Sequence, residues 1–207
     1  MTDEPVVYVI DDDASFRKAV SRLLRSAGLA VEALASAREF LERPMADRPS
    51  CLVLDVRMPG PSGMDLQAAL QEARRDIPIV FMTGHGDVST SVRAMKGGAV
   101  DFLEKPFRAP ELLACVKRGL ARSRQSRVER AERAAVERRF ATLTSRERDV
   151  LRLVVTGMLN KQIAGELGIA EKTVKIHRGH VTQKMGAGSV AELVRMVQKL
   201  GPAGSGT

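Results

Sequence analysis

Residues 52–63 read LVLDVRMPGPSG. An apolar run carries one carboxylate, Asp55, to its C-terminal end, and Pro59, Gly60, Pro61 and Gly63 then force a turn. In open parallel α/β sheets, ligands gather beyond the carboxyl ends of the strands. Asp55 therefore stands where a reactive group would stand. A second apolar run, Val6-Val7-Tyr8-Val9-Ile10, ends in Asp11, Asp12 and Asp13. Two later runs finish at Thr83 and at Lys105-Pro106. One sheet edge would thus collect several acids, a hydroxyl and an ammonium. Close carboxylates repel, and a divalent cation is what makes such a cluster tolerable.

Apolar runs end near Ile10, Leu34, Asp55, Met82 and Glu104. Helical spacing recurs between them, as in Phe16, Val20, Leu23, Leu24 and Ala27, in Leu66, Ala69, Leu70 and Ala73, and in Leu112, Leu113, Val116 and Leu120. Residues 1–122 are expected to form a doubly wound α/β domain on a five-stranded parallel sheet. Residues 123–140 lack Gly and Pro and are rich in Arg, Glu and Ala. They read as an exposed helical linker with a thin apolar stripe of Val128, Ala131, Ala135 and Phe140, supported by Glu129 and Arg133 at i,i+4. Residues 141–200 read as a small all-α domain. Thr144 to Glu147 fit a capping box, Gly157 ends the first helix, Asn160 caps the second, Gly168 makes a turn, and Ser189 starts the fourth. Residues 201–207, GPAGSGT, read as a disordered tail.

The chain has 207 residues, 44% apolar and 28% charged, which suits a globular protein of one or two domains. No apolar run approaches the roughly 18 residues of a membrane span. MTDEPVV carries neither a basic region nor an apolar signal core, so a cytoplasmic protein without membrane contact is expected. Cys51 and Cys115 lack metal or redox spacing and read as reduced buried thiols. His85, His177 and His180 are too scattered for a zinc site. The net charge of +8 is unevenly distributed. Residues 1–122 hold 17 Lys/Arg and 17 Asp/Glu, whereas residues 123–207 hold 16 and 8. That asymmetry suggests a nucleic-acid-facing part joined to a neutral one.

In the acid cluster, Mg²⁺ fits the oxygen donors. Metal and ammonium together would neutralise the equatorial oxygens of a phosphoryl group under attack. Asp55 is the natural nucleophile, Lys105 supplies a compact positive charge, and Thr83 supplies a hydroxyl. Asp13 reads as a helix cap outside the site. The strings VIDDD, LDVRMPGPSG, VFMTGHGD and FLEKPF, in order across residues 4–122, resemble a response-regulator receiver domain. The resemblance implies a flavodoxin-like fold and phosphorylation of Asp55 by a sensor histidine kinase. It implies Mg²⁺ on Asp12, Asp55 and the backbone carbonyl of Arg57, with Asp11 assisting through water. It implies that Thr83 and Lys105 bind the phosphoryl group, that Lys105-Pro106 is cis, and that Phe102 is a switch residue beside Thr83. A metal-dependent phosphatase also attacks with an Asp, but it carries a second acid two residues later. Arg57 occupies that position, which argues against an enzyme.

The strings LTSRERDVL, NKQIAGELGI and TVKIHRGHVTQKM resemble a LuxR-type helix-turn-helix domain. Together the two halves resemble the FixJ/NarL family. Helical spacing turns Val174, His177, Val181 and Met185 inward. It leaves Lys172, Thr173, Lys175, Ile176, Gly179 and Gln183 for the major groove of promoter DNA. Asn160 and Lys161, at a helix start, suit phosphate contacts. His177 reads as packing or phosphate-touching, and Arg178 belongs to the domain surface or the DNA backbone. The expected protein is a transcription regulator that dimerises on phosphorylation and works with RNA polymerase. A receiver with a protein-binding output is the alternative.

Overall fold

The computed structural model describes residues 4–44, 47–84 and 88–201. They belong to two compact units, Met1–Arg127 and Val128–Thr207. In the first, β1 (Val6–Ile10), β2 (Ala30–Leu34), β3 (Ser50–Asp55), β4 (Ile79–Thr83) and β5 (Asp101–Glu104) form one parallel sheet. The strand order is β2-β1-β3-β4-β5, the flavodoxin-like doubly wound order. β1, β3 and β4 are buried along their whole length. Burial on both faces is why they read as unbroken apolar runs.

Alternate strand residues feed two cores. Tyr8, Ile10, Leu52, Leu54 and Phe81 pack against α2 (Ala37–Leu41), α3 (Gly63–Glu72) and α4 (Val88–Lys96). Val7, Val9, Val53, Val80 and Met82 pack against α1 (Ala14–Ser26) and residues 112–120 of α5 (Ala109–Ala141). The five-residue α2 is too short for periodicity to reveal. It is anchored by fully buried Phe40, whose ring meets Tyr8 edge-on at 5.2 Å. Gly119 lets α5 lie flush on β3, since a Cβ there would stand 2.5 Å from the Cys51 sulfur. Cys51 and Cys115 are free, buried thiols. Burial pushes the Cys51 thiol up to about 12 and the Cys115 thiol up to about 11, so neither is a ready nucleophile.

The segment expected as an exposed helical linker at 123–140 is the continuation of α5, mostly exposed but with a few residues committed to packing. The Ser123 hydroxyl, buried, accepts from the Ser50 N–H at 3.0 Å within the first unit. Val136, outside the expected stripe, is the buried residue in the second unit, while Val128 is 52% exposed. Arg133 pairs with Glu137 at 2.9 Å, also at i,i+4. α5 thus lends its early residues to one core and its late residues to the other.

The second unit contains α6 (Ser145–Val155), α7 (Asn160–Leu167), α8 (Glu171–Met185) and α9 (Val190–Leu200). Thr144 and Glu147 close the capping box of α6. Gly168, at φ +62°, turns the chain between α7 and α8. Val150, Leu151, Val154, Ile163, Val174, Val181, Met185 and Leu193 share one core. Asn160 is not the cap of α7. Leu159 holds that position, its N–H donating to Gln162 Oε1 at 2.8 Å. Of the expected disordered tail, 201–207, only Gly201 is described; residues 202–207, and His85, Gly86 and Asp87 of the VFMTGHGD string, lie outside the described residues. No helix among the described residues is long and apolar enough to cross a membrane.

Candidate functional site

The sheet register assembles the acid site. Ile10 pairs with Leu54, so the next residues, Asp11 and Asp55, emerge side by side. Asp55 pairs with Met82, one residue before Thr83, and Thr83 pairs with Glu104, one before Lys105. Four strands therefore deliver Asp11, Asp55, Thr83 and Lys105 to one edge. The Lys105 backbone N–H donates to the Thr83 carbonyl at 2.6 Å, and the Lys105-Pro106 bond is cis.

Lys105 Nζ donates to Asp11 Oδ2 at 2.7 Å and to Asp55 Oδ1 at 2.6 Å. The second Asp55 oxygen, Oδ2, accepts the Arg57 N–H at 2.8 Å. Asp11 and Asp55 are buried, and Thr83 is 2% exposed. Burial pushes the Asp55 carboxyl above its ordinary range, against the pull of Lys105. Burial alone would lower the Lys105 ammonium, but the hydrogen bonds to Asp11 and Asp55 outweigh it and hold it above its ordinary value. Asp13 caps α1, accepting from the Ser15 and Phe16 N–H groups. Asp12 stays exposed, and among the described residues no three acidic, His or Cys side chains are grouped for a metal.

The donor chemistry nevertheless suits a hard cation. Three carboxylates, Asp11, Asp12 and Asp55, stand at adjacent strand ends with Lys105 as the cation in contact with two of them. The local charge left over is that of two carboxylates, which a divalent ion would offset. Gly63 frames the site from below. A Cβ there would stand 2.3 Å from the Asp55 carbonyl oxygen, so α3 approaches β3 only because residue 63 has no side chain.

Two contributors escaped the sequence reading. Lys105 Nζ lies 4.1 Å from the centroid of the Phe16 ring, a cation–π contact that fixes the ammonium. Arg17 donates to the Asp11 and Asp12 carbonyls and pins the turn after β1. Their signal was only their position in the first turns of α1. Phe102 is half-buried, 6.3 Å from Phe81 between ring centroids.

In the second unit, α8 presents a mixed face. Val174, Val181 and Met185 are fully buried and His177 is half-buried. Lys172, Lys175, Ile176, Gly179 and Gln183 are exposed and Thr173 is half-exposed, as helical spacing anticipated. Lys161 is exposed at the first turn of α7. Asn160 Oδ1 accepts from Arg178 at 2.7 Å, tying α7 to α8. Beneath the face, buried Glu147 accepts from Lys184 at 2.7 Å and from the Thr144 N–H at 2.8 Å. Lys184 and then Thr144 pull the Glu147 carboxyl down to about 2.

An acid cluster at the carboxyl edge of a parallel sheet and a basic helix-turn-helix on one chain define a class, a signal-receiving domain joined to a DNA reader. Comparison with known proteins makes the class specific. Residues 7–117 match the response regulator receiver domain, and residues 141–197 match the bacterial regulatory proteins of the luxR family. Nodulation protein W of Bradyrhizobium diazoefficiens is 54% identical over 196 residues, 95% of this chain and 86% of that protein. Transcriptional regulatory protein FixJ of Azorhizobium caulinodans is 44% identical over 203 residues, 98% of this chain and 96% of that protein. Among solved structures, response regulator StyR is 49% identical with a TM-score of 0.82, over 95% of this chain and 99% of that one. The chain belongs to the response regulators of the FixJ/NarL type. It is a DNA-binding transcriptional regulator of a two-component system, in a family of regulators rather than enzymes.

Proposed function

We propose that Asp55 accepts a phosphoryl group from the histidine of a sensor kinase and that this switches DNA binding. The observation that carries the reading is the Lys105 ammonium shared between Asp11 and Asp55, beside the buried Thr83 hydroxyl. In the transfer, an Asp55 oxygen forms a bond to phosphorus as the bond from phosphorus to the donor atom breaks. The electron pair leaves with the donor, a kinase imidazole or the acetate of acetyl phosphate. Lys105 then bonds a phosphoryl oxygen, and the Thr83 hydroxyl donates to another. Asp11, Asp12, Asp55 and the Arg57 carbonyl would hold Mg²⁺, which supplies charge neutralisation for the transferred group.

On β5, the neighbour of β4, Phe102 stands two residues before Glu104, the register partner of Thr83. Drawing Thr83 toward phosphate frees space for Phe102, which biases β5 and α4. α4 exposes Val88, Val92 and Met95 at 75%, 45% and 46%, a stripe at helical spacing that suits a homodimer surface. Two recognition helices then meet successive major grooves of promoter DNA. On α8, Lys172, Thr173, Lys175, Ile176, Gly179 and Gln183 face bases, while Asn160 and Lys161 belong near phosphates. Asn160 is committed to Arg178, so its contribution is to hold α7 against α8. Contact with RNA polymerase and a cytoplasmic setting complete the reading.

Asp55→Asn tests it, because the amide is not a nucleophile. Labelling by acetyl phosphate with Mg²⁺ should vanish, together with phosphorylation-dependent dimerisation in sedimentation. Full labelling of the variant would remove Asp55 from the role.

A further inference from the structure

A cavity of about 540 Å³ opens at the amino end of the sheet, on the opposite side from Asp55. Pockets that hold small molecules run from about 300 to 1,000 Å³. Its floor is apolar, made by Leu70 of α3, Ile77 of the following loop and Ile79 of β4. Its rim carries four cations, Arg74, Arg75, Lys96 and Arg122, against one acid, Asp76. No carboxylate among the described residues pairs with Arg74, Arg75 or Lys96. Elsewhere on this unit, exposed arginines such as Arg38, Arg108 and Arg118 do find acids.

The rim is also built rather than loose. Arg74 sits at φ +52°, a left-handed conformation that a side chain rarely adopts. It is held there by its own N–H to the Gln71 carbonyl at 2.9 Å and by the Arg75 N–H to the Leu70 carbonyl at 2.8 Å. The carbonyl end of α4 would repel an anion, but donors from α3 and α5 already meet several carbonyls there and just after it. Gln67 donates to Ala94 and Gly97, Gln71 donates to Gly97, and Arg122 donates to Gly98. What remains open is an excess of guanidinium and ammonium over an apolar floor.

We propose that this cavity binds a nucleoside phosphate. The phosphate meets the forked guanidiniums and Lys96, and the flat base lies over Ile77, the half-buried residue of the floor. Bound there, the ligand would brace the contact between α3 and the end of α4, the helix that leads into β5. A mononucleotide fits the volume and supplies both charge and ring. Inorganic phosphate supplies only the first, and a nucleoside only the second.

The test is calorimetric titration of the full chain, free of divalent metal, with AMP, GMP, inorganic phosphate and adenosine in turn. The variant reverses two exposed rim charges, Arg75→Glu with Lys96→Glu. Both residues lie outside the acid site, so retained labelling by acetyl phosphate with Mg²⁺ reports an intact first unit. At least one nucleotide should bind more tightly than phosphate or adenosine, and the variant should weaken it by about tenfold or more. The proposal falls if neither nucleotide binds, or if phosphate binds as well as the nucleotides, which would make the cavity a simple anion site. It also falls if the variant binds like the parent, which would put the ligand on the basic second unit instead.

Discussion

The two units solve opposite electrostatic problems. The first buries opposed charges at one point: Asp11, Asp55 and Lys105 touch in a place that is nearly closed to water. The second spreads like charges over one exposed helix face, with Lys172 and Lys175 in solvent. The first arrangement depends on four strands in register, so each member leans on the others. The second depends on one helix standing on an apolar core, so its charges act almost separately. Substitutions should therefore be severe and coupled in the first unit, and modest and nearly additive in the second.

The largest expected effect comes from breaking the buried cluster. Lys105→Met leaves Asp11 and Asp55 facing each other without their cation. Removing one partner of a buried pair costs about 3 kcal/mol or more. Chemical unfolding in metal-free buffer at pH 7 should show a loss of that size. The loss should shrink when Mg²⁺ is added and when the pH is lowered enough to protonate the acids. If Lys105→Met were as stable as the parent without metal, the cluster would be far more hydrated than its burial indicates.

Two glycines sharpen the same contrast. Gly63→Ala puts a methyl 2.3 Å from the Asp55 carbonyl. Overpacking of this kind costs about 1–3 kcal/mol, and labelling of Asp55 should slow because β3 or α3 must shift. Gly179→Ala meets nothing within 4 Å on the exposed face of α8. Helix propensity alone should then stabilise the chain by about 0.5–1 kcal/mol. Equal destabilisation by both would contradict the packing described for α8.

Much of this was legible in the residues. Apolar runs ending in Asp11, Asp55, Thr83 and Lys105 announced both the sheet and its reactive edge, because parallel strands need continuous apolar stretches. The inward and outward faces of α8 followed from spacing alone. What was not legible depends on contacts between distant segments. Phe16 beneath Lys105 looks like any helical core residue until the loop after β5 brings Lys105 over it. Asn160 has the chemistry of a cap, but Gln162 supplies that bond while Arg178 takes the Asn160 side chain. The linker looked solvated because its composition is charged, and a composition average conceals the two buried residues, Val136 and Ser123.

On DNA, the separable face should give separable losses. Lys175→Ala removes an expected base contact and should cost about 1–3 kcal/mol on the cognate site, with relaxed preference at one position per half-site. Lys161→Ala removes an expected phosphate contact. It should weaken all sequences about equally and reduce the salt slope by roughly one unit. Salt titrations on cognate and scrambled duplexes distinguish them. A uniform loss from Lys175→Ala would move the recognition face toward Lys172 or Gln183.

The smallest effect tests whether the second unit holds any buried charge of consequence. Among the described residues, Glu147 is the one place where it resembles the first: a buried carboxylate answered by an ammonium, with His180 Nδ1 3.6 Å away. Its partners are partly solvated, Lys184 being 35% and His180 54% exposed, so screening weakens the cluster relative to Lys105. Hydrogen bonds from Lys184 and Thr144 set the carboxyl at about 2, below its ordinary 4.5. A folded-state value below the unfolded one means that the unfolded chain binds the proton first as the pH falls. Glu147 therefore stabilises α6 fully above pH 4.5, progressively less as the pH falls toward 2, and not at all below that. Amide protection along α6, corrected for the intrinsic pH dependence of exchange, should fall through that window in the parent. Glu147→Gln should expose the helix to faster exchange at neutral pH and lose the Glu147 share of the acid-dependent change. If the variant kept the parent's whole pH profile, the acid sensitivity of this unit would come from carboxylates other than Glu147.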